Sequence, residues 1–161
     1  MRKLLIVAAT LYSINAFAKF ETTEDDAGFG ETQVVTLDNT TKFDLIGTPL
    51  EVGDLLPSAK MLTSDLESYD TSAQSKSIKI YSILTSVDTP VCVQQAIELS
   101  QYIESNHHKL QDIEFYAVSA DTPFTQQRFI REHSLDGATY LSDSSEHKFG
   151  LNTGTQIGFV A

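Results

Sequence analysis

The chain has 161 residues, 41% of them hydrophobic, and a formal net charge of -11 at neutral pH. That acidity argues against nucleic acid or an anionic membrane surface as a partner, because so few cations cannot neutralise a phosphate array. Cys92 is the only cysteine, so an internal disulfide is excluded, and neither a cysteine cluster nor a His pair at zinc-site spacing occurs.

Met1-Arg2-Lys3 is a basic start, Leu4 to Asn15 is mostly apolar, and Ala16-Phe17-Ala18 has the A-x-A form of a cleavage site. Residues 1–18 therefore read as a signal peptide, too short and interrupted for a confident membrane span, and no later segment is long and apolar enough. The expected location is a periplasm or the cell exterior. Cleavage would take the net charge from -11 to -13 and leave about 143 residues, enough for one domain with its own core. Residues 19–40 are acidic and rich in Gly and Thr and read as a flexible leader, in which Gln33 to Leu37 could add an edge strand. The domain proper is expected over residues 41–161.

Phe43 to Ile46 and Leu50 to Gly53, separated by Gly47-Thr48-Pro49, read as a β-hairpin. Met61 to Ala73 has no clean period and reads as loop or short helix. Ser77 to Leu84 is β-branched and almost continuously apolar, the pattern of a buried parallel strand. A helix from Pro90 to about Asn106 follows, with Ala96, Leu99 and Ile103 on the same face as Cys92. His107-His108 falls in a polar, solvated loop. Ile113 to Val118 is the next strand, and Pro123 to about His133 the next helix.

The two strand-to-helix turns echo each other: Ser86-Val87-Asp88-Thr89-Pro90 recurs as Ser119-Ala120-Asp121-Thr122-Pro123. The spacing suits a βαβ unit whose two turns lie at one end of the sheet, beyond the strand carboxyl ends where such folds place ligand sites. The motif is also good capping chemistry used twice. Thr89 as N-cap and Pro90 as first residue put Cys92 in the first helical turn, where N–H groups and the helix dipole favour a thiolate. A nucleophile is one reading; a small core residue is the other, since free cysteine is often buried.

Thr89-Pro90-Val91-Cys92 resembles the peroxidatic motif of thiol peroxidases, the atypical two-cysteine branch of the peroxiredoxins. Ser119 to Phe124 with Gln126, Arg128 and Phe129 resembles that family's second signature. Leu141-Ser142-Asp143 with Phe149-Gly150 and Gly154 is similar to its later loop, and Gly47-Thr48-Pro49 with Val52-Gly53 to its N-terminal hairpin. The resemblance implies an α/β, thioredoxin-like fold and reduction of hydrogen peroxide or organic hydroperoxides, with a thioredoxin-type dithiol as electron donor. It makes Cys92 the peroxidatic cysteine and Thr89 the hydroxyl that binds its sulfur and the peroxide. It brings no cofactor, and it leaves a homodimer open.

Three departures follow from the same comparison. Thr85 stands where the family's motif opens with proline, and Ile130 stands at the resolving cysteine. Gly158 to Ala161 resembles the segment just before the catalytic arginine, so the final strands and helix of the fold are expected to be missing from this sequence. Without a resolving cysteine, a sulfenic acid at Cys92 would have to be released by an external thiol. A free thiol of pKa ~8.5 is only about 3% ionised at neutral pH. A helix terminus contributes ~0.3–1 kcal/mol, up to ~2 in favourable sites, so further donors are required. Arg128 and Arg131 are expected on the helix surface, away from Cys92. The competing class is a degenerate, non-catalytic thioredoxin-fold module used for interaction or thiol sensing. A thiol-disulfide oxidoreductase fits less well, because Thr89 occupies the place of the first cysteine of C-x-x-C.

Overall fold

The structure, a computed structural model, describes Phe20, Val34–Leu37 and Thr41–Gly158. The expected signal peptide and most of the leader lie outside those residues. Among the described residues eight strands and three α-helices follow in order: β1 (Val34–Leu37), β2 (Thr41–Ile46), β3 (Lys60–Thr63), β4 (Ser68–Asp70), β5 (Ile78–Ile83), α1 (Pro90–Asn106), β6 (Ile113–Ser119), α2 (Pro123–His133), β7 (Ala138–Ser142), α3 (Lys148–Thr153) and β8 (Gln156–Gly158), with a short 3-10 turn, His107–Lys109, where a loop was expected. A three-stranded sheet has the order β1-β2-β8 and a five-stranded sheet the order β4-β3-β7-β6-β5.

β5, β6 and β7 run parallel, with Ile83 opposite Val118 and Val118 opposite Leu141. Strand order advances in one direction through both crossovers, so right-handed connection puts α1 and α2 on the same face. The alternation of a strand then separates two cores. On the helix face, Ala117 and Tyr140 pack with Leu84, Val87, Cys92, Ala96, Phe129 and Leu135. On the other, Tyr116, Val118 and Leu141 pack with Ala59, Met61 and Phe149 of α3. This is the expected α/β layering.

Both long helices occupy their expected spans. Cys92, Ala96 and Ile103 of α1 are buried, while Leu99 on the same stripe is only half-buried. β5 is parallel as expected but not buried throughout. Among the described residues it pairs only with β6, and Ile78 and Ile80 are 63% and 40% exposed. α1 lies against the opposite end of that strand, where Gln95 Nε2 donates to Ser82 Oγ and Ile83 O.

Two further expectations fail. The segment from Met61 to Ala73 is neither loop nor helix: β3 and β4 form an antiparallel hairpin with Met61 opposite Tyr69. Its turn carries Leu66 at φ 68° and is closed by Thr63 N donating to Glu67 O and Leu66 N to Thr63 O. An apolar residue in the left-handed region is a poor turn signal, which hides the hairpin from the sequence. The N-terminal hairpin exists, but β2 pairs with β1 and β8 and not with Leu50 to Gly53. After β2 the chain is held on α3, with Thr48 N donating to Leu151 O at 2.8 Å. Gly47 sits at φ +110°, and a Cβ there would lie 2.2 Å from Leu151 O.

Gly47→Ala should therefore destabilise the fold by more than the roughly 1–3 kcal/mol of backbone strain alone. Gly53, at φ +103° with nothing within 4 Å of an added methyl, isolates that strain. Urea unfolding of Gly47→Ala and Gly53→Ala checks this; equal losses would show that the contact with α3 contributes nothing.

Candidate active site

The carboxyl ends of β5 and β6 carry the two echoing turns, and Cys92 lies at the third position of the helix that leaves the first. Pro90 supplies a fixed φ and no N–H at the first helical position, and Val93 N closes the first helical bond on Thr89 O at 3.0 Å. The Cys92 side chain is 3% exposed, among Leu84, Val87, Ala96, Ala117, Phe129 and Tyr140, with Ile130 half-buried against the same cluster. The thiol is thus apolar in its side-chain surroundings and adjacent to unpaired helix-start N–H groups. Among the described residues no side chain hydrogen-bonds its sulfur. Thr85 is exposed on the turn.

Thr89 takes the N-cap position, with extended backbone at φ -88° and ψ 132°, but its side chain makes no capping bond. Its hydroxyl donates to Ser86 O at 2.8 Å. A hydroxyl has one proton, so in this conformation Thr89 does not donate to Cys92. The same residue type in the second turn behaves differently. Thr122 accepts from Thr125 N at 3.3 Å and caps α2 in the expected way. Thr89 N also donates to Ser86 O, at 3.1 Å. That carbonyl keeps a partner if the Thr89 hydroxyl rotates away, so rotation toward the sulfur leaves no acceptor orphaned.

Two residues of the second signature reach into the first turn. Asp121 Oδ1 accepts from Ser86 Oγ at 3.0 Å and Oδ2 accepts from Val87 N at 2.8 Å. Arg128 donates to Asp88 Oδ1 at 2.7 Å and lies 3.8 Å from Glu132. Arg128 is exposed, as expected, but it is tied to the cysteine turn and is not an isolated surface charge. Neither Asp121 nor Ser86 stood out as a site residue in the sequence. The repeated S-x-D-T-P pattern was the available signal, yet its serine–aspartate bond is the same in both copies: Ser86 Oγ accepts from Asp88 N, and Ser119 Oγ from Asp121 N. Nothing local distinguishes the aspartate that grips the other turn.

Asp143, from the later matched loop, directs its carboxylate to Phe149 N and Gly150 N and so anchors α3 beneath the opposite core. Gln126 is fully buried and donates from Nε2 to Ser119 Oγ and Leu141 O, tying α2 to the ends of β6 and β7.

Known proteins resemble this chain in sequence and fold. The redoxin family profile matches residues 51–161. The chain is 33% identical over 113 residues to the thiol peroxidase of Bacillus subtilis, covering 70% of this chain and 65% of that protein. It is 30% identical over 116 residues to the thiol peroxidase of Helicobacter pylori, covering 72% of this chain and 68% of the relative. The chain thus spans about two thirds of the length of the curated relatives it matches. Among solved structures, a peroxiredoxin-like protein from Aquifex aeolicus superposes with a TM-score of 0.71 at 26% identity, over 81% of this chain and 72% of that one. A thiol peroxidase from Chromobacterium violaceum shares the fold with a TM-score of 0.61 at 21% identity, over 74% of this chain and 67% of its own. With a lone cysteine opening the first crossover helix of a thioredoxin-like sheet, and with these relatives, the chain belongs to the redoxin family, in its thiol peroxidase branch.

Proposed function

We propose that this protein is a thiol-dependent peroxidase in which Cys92 attacks a hydroperoxide. The observation that carries the reading is the placement of the single cysteine in the first turn of α1, at the carboxyl ends of β5 and β6. The thiolate displaces the distal oxygen's partner: an S–O bond forms, the O–O bond breaks, and the alkoxide or hydroxide leaves with a proton as alcohol or water. Cys92 is left as a sulfenic acid. An external thiol condenses with it, releasing water and forming a mixed disulfide. A second thiol frees Cys92 and leaves as the disulfide of the reductant. No second cysteine in this sequence can take that role.

Thr89 is the proposed hydrogen-bond donor to the sulfur and the peroxide, reached by rotation from Ser86 O. Hydrogen peroxide or an organic hydroperoxide is the substrate class, and a thioredoxin-type dithiol is the proposed reductant. The sequence of residues 1–18 supports export to a periplasm or the cell exterior; N-terminal sequencing of the secreted protein should begin at Lys19.

A non-catalytic thioredoxin-fold module is the second reading. It is favoured by one feature, that Thr89 and Arg128 are committed to Ser86 and Asp88 and not to the sulfur. Peroxide consumption with a thiol donor separates the two. Dimedone trapping after peroxide treatment should label the wild-type protein and not Cys92→Ser. Equal labelling of both would remove Cys92 from the chemistry.

Thr89→Val should lower the rate of sulfenate formation while changing stability little. The lost bond to Ser86 O is worth ~0.5–1.5 kcal/mol, and that acceptor retains Thr89 N. An unchanged rate in the folded variant would make Thr89 a structural residue only.

Ile130→Cys tests whether the two-cysteine route is open to this scaffold. Ile130 packs against the cluster that holds Cys92, and its loss of apolar contact should cost on the order of 1–3 kcal/mol. A disulfide requires Cα atoms within ~7 Å. Peroxide treatment should give a Cys92-linked peptide in non-reduced mass spectra, which a thioredoxin-type donor then reduces. Recovery of only over-oxidised Cys92 in a folded variant would remove Ile130 from the resolving position.

A further inference from the structure

We propose that Asp121 is a positioning residue for Cys92, acting through Ser86 and Val87 on the turn that starts α1. The proposal rests on the reading of Cys92 as the reactive group. Asp121 is held from behind: Ser142 Oγ donates to Asp121 O at 2.6 Å, and Asp121 N donates to Ser119 Oγ at 3.4 Å. Ser119 and Ser142 are each 3% exposed and end β6 and β7, so the carboxylate projects from a rigid base. It grips the other turn at two points, the Ser86 hydroxyl and the Val87 N–H. Val87 is 1% exposed, so water does not readily replace that acceptor.

Ser86 distributes the constraint. Its hydroxyl accepts from Asp88 N, and its carbonyl accepts from both the N–H and the hydroxyl of Thr89. The location of Ser86 therefore sets where Thr89 stands and where the first helical N–H groups of α1 point. Cys92 is in that turn. Asp88 occupies the equivalent place in the first copy of the motif but only pairs with the exposed Arg128, itself beside Glu132. These four charged groups, Asp88, Asp121, Arg128 and Glu132, belong to the two turns and to α2, which pack around the start of α1.

Charge and geometry make opposite predictions for this carboxylate. A negative charge near a thiolate disfavours it, so removing charge alone lowers the pH at which the thiol ionises. Loss of positioning withdraws the helix-start donors and raises it. The test is alkylation of Cys92 by iodoacetamide across pH, in the full chain, for the wild type, Asp121→Asn, Asp88→Asn and Ser86→Ala. The midpoint of each profile is the deciding readout, since the plateau rate also follows exposure. Asp121→Asn should move the midpoint up by about one unit, a tenfold smaller thiolate fraction well below it. Ser86→Ala should move it the same way by less, and Asp88→Asn should leave it or move it down. Near-ultraviolet circular dichroism confirms that each variant is folded. A midpoint that stays or falls in folded Asp121→Asn overturns the proposal; if that variant does not fold, an unmoved midpoint in folded Ser86→Ala overturns it. Dimedone labelling of the wild type keeps the outcomes separate. Its absence would sink the peroxidase reading, whereas labelling with an unmoved Asp121→Asn midpoint sinks only the role of Asp121.

Discussion

Parallel pairing of β5 with β6 places two strand-to-helix turns side by side, 33 residues apart in sequence and joined by hydrogen bonds from Ser86 Oγ and Val87 N to the Asp121 carboxylate. The strand pairing itself uses only backbone groups and carries no chemistry. What it does is bring the start of α1 and the start of α2 to one edge of the sheet, so that residues of the second turn can fix the conformation of the first. Cys92, Thr89 and Ser86 have their present relations because of that junction. A single crossover, without the second turn beside it, would leave the β5–α1 turn to its own local hydrogen bonds.

The environment that results is mixed. Apolar neighbours surround the thiol and keep it from water, while the helix start supplies partial positive charge from the backbone. The nearest guanidinium in the second signature, on Arg128, is engaged by Asp88 on the exposed side of the turn. Two hydroxyl-bearing threonines at equivalent positions have different partners: Thr122 caps its helix, and Thr89 turns back to Ser86. That difference leaves the start of α1 without a side-chain cap beside the cysteine.

The opposite face of the sheet has a separate organisation. Tyr69, Tyr81 and Tyr116 cluster there, with ring centroids 5.0 Å apart for Tyr81–Tyr116 and for Tyr69–Tyr116, and burial raises all three phenol pKa values. Tyr69 and Tyr81 hydroxyls meet at 2.7 Å, and Tyr116 donates to Glu114. These neutral, mutually bonded phenols cement β4, β5 and β6 without contacting the thiol. The sheet thus separates a polar-tipped aromatic core from the apolar core that contains Cys92.

The sequence by itself determined the elements whose signals are local. α1 and α2 begin at Thr-Pro because proline suits the first helical position, and their apolar spacing marks the buried face from Cys92 to Ile103. The repeated motif was enough to place both turns at one end of a parallel sheet, and the cysteine with them. Tertiary structure decided everything that depends on a distant partner. β3 and β4 carry no local signal because Leu66 closes their turn in a conformation that its residue type does not announce. Gly47-Thr48-Pro49 looks like a hairpin turn, yet α3, about a hundred residues further on, draws the chain aside and β2 pairs elsewhere. Asp88 and Asp121 occupy the same place in the repeated motif and make the same bond to its serine, and only the packing of one turn on the other makes Asp121 the residue that grips. Local propensity is written in neighbouring residues, whereas the choice of a hydrogen-bond partner depends on which surfaces the whole fold brings within about 3 Å.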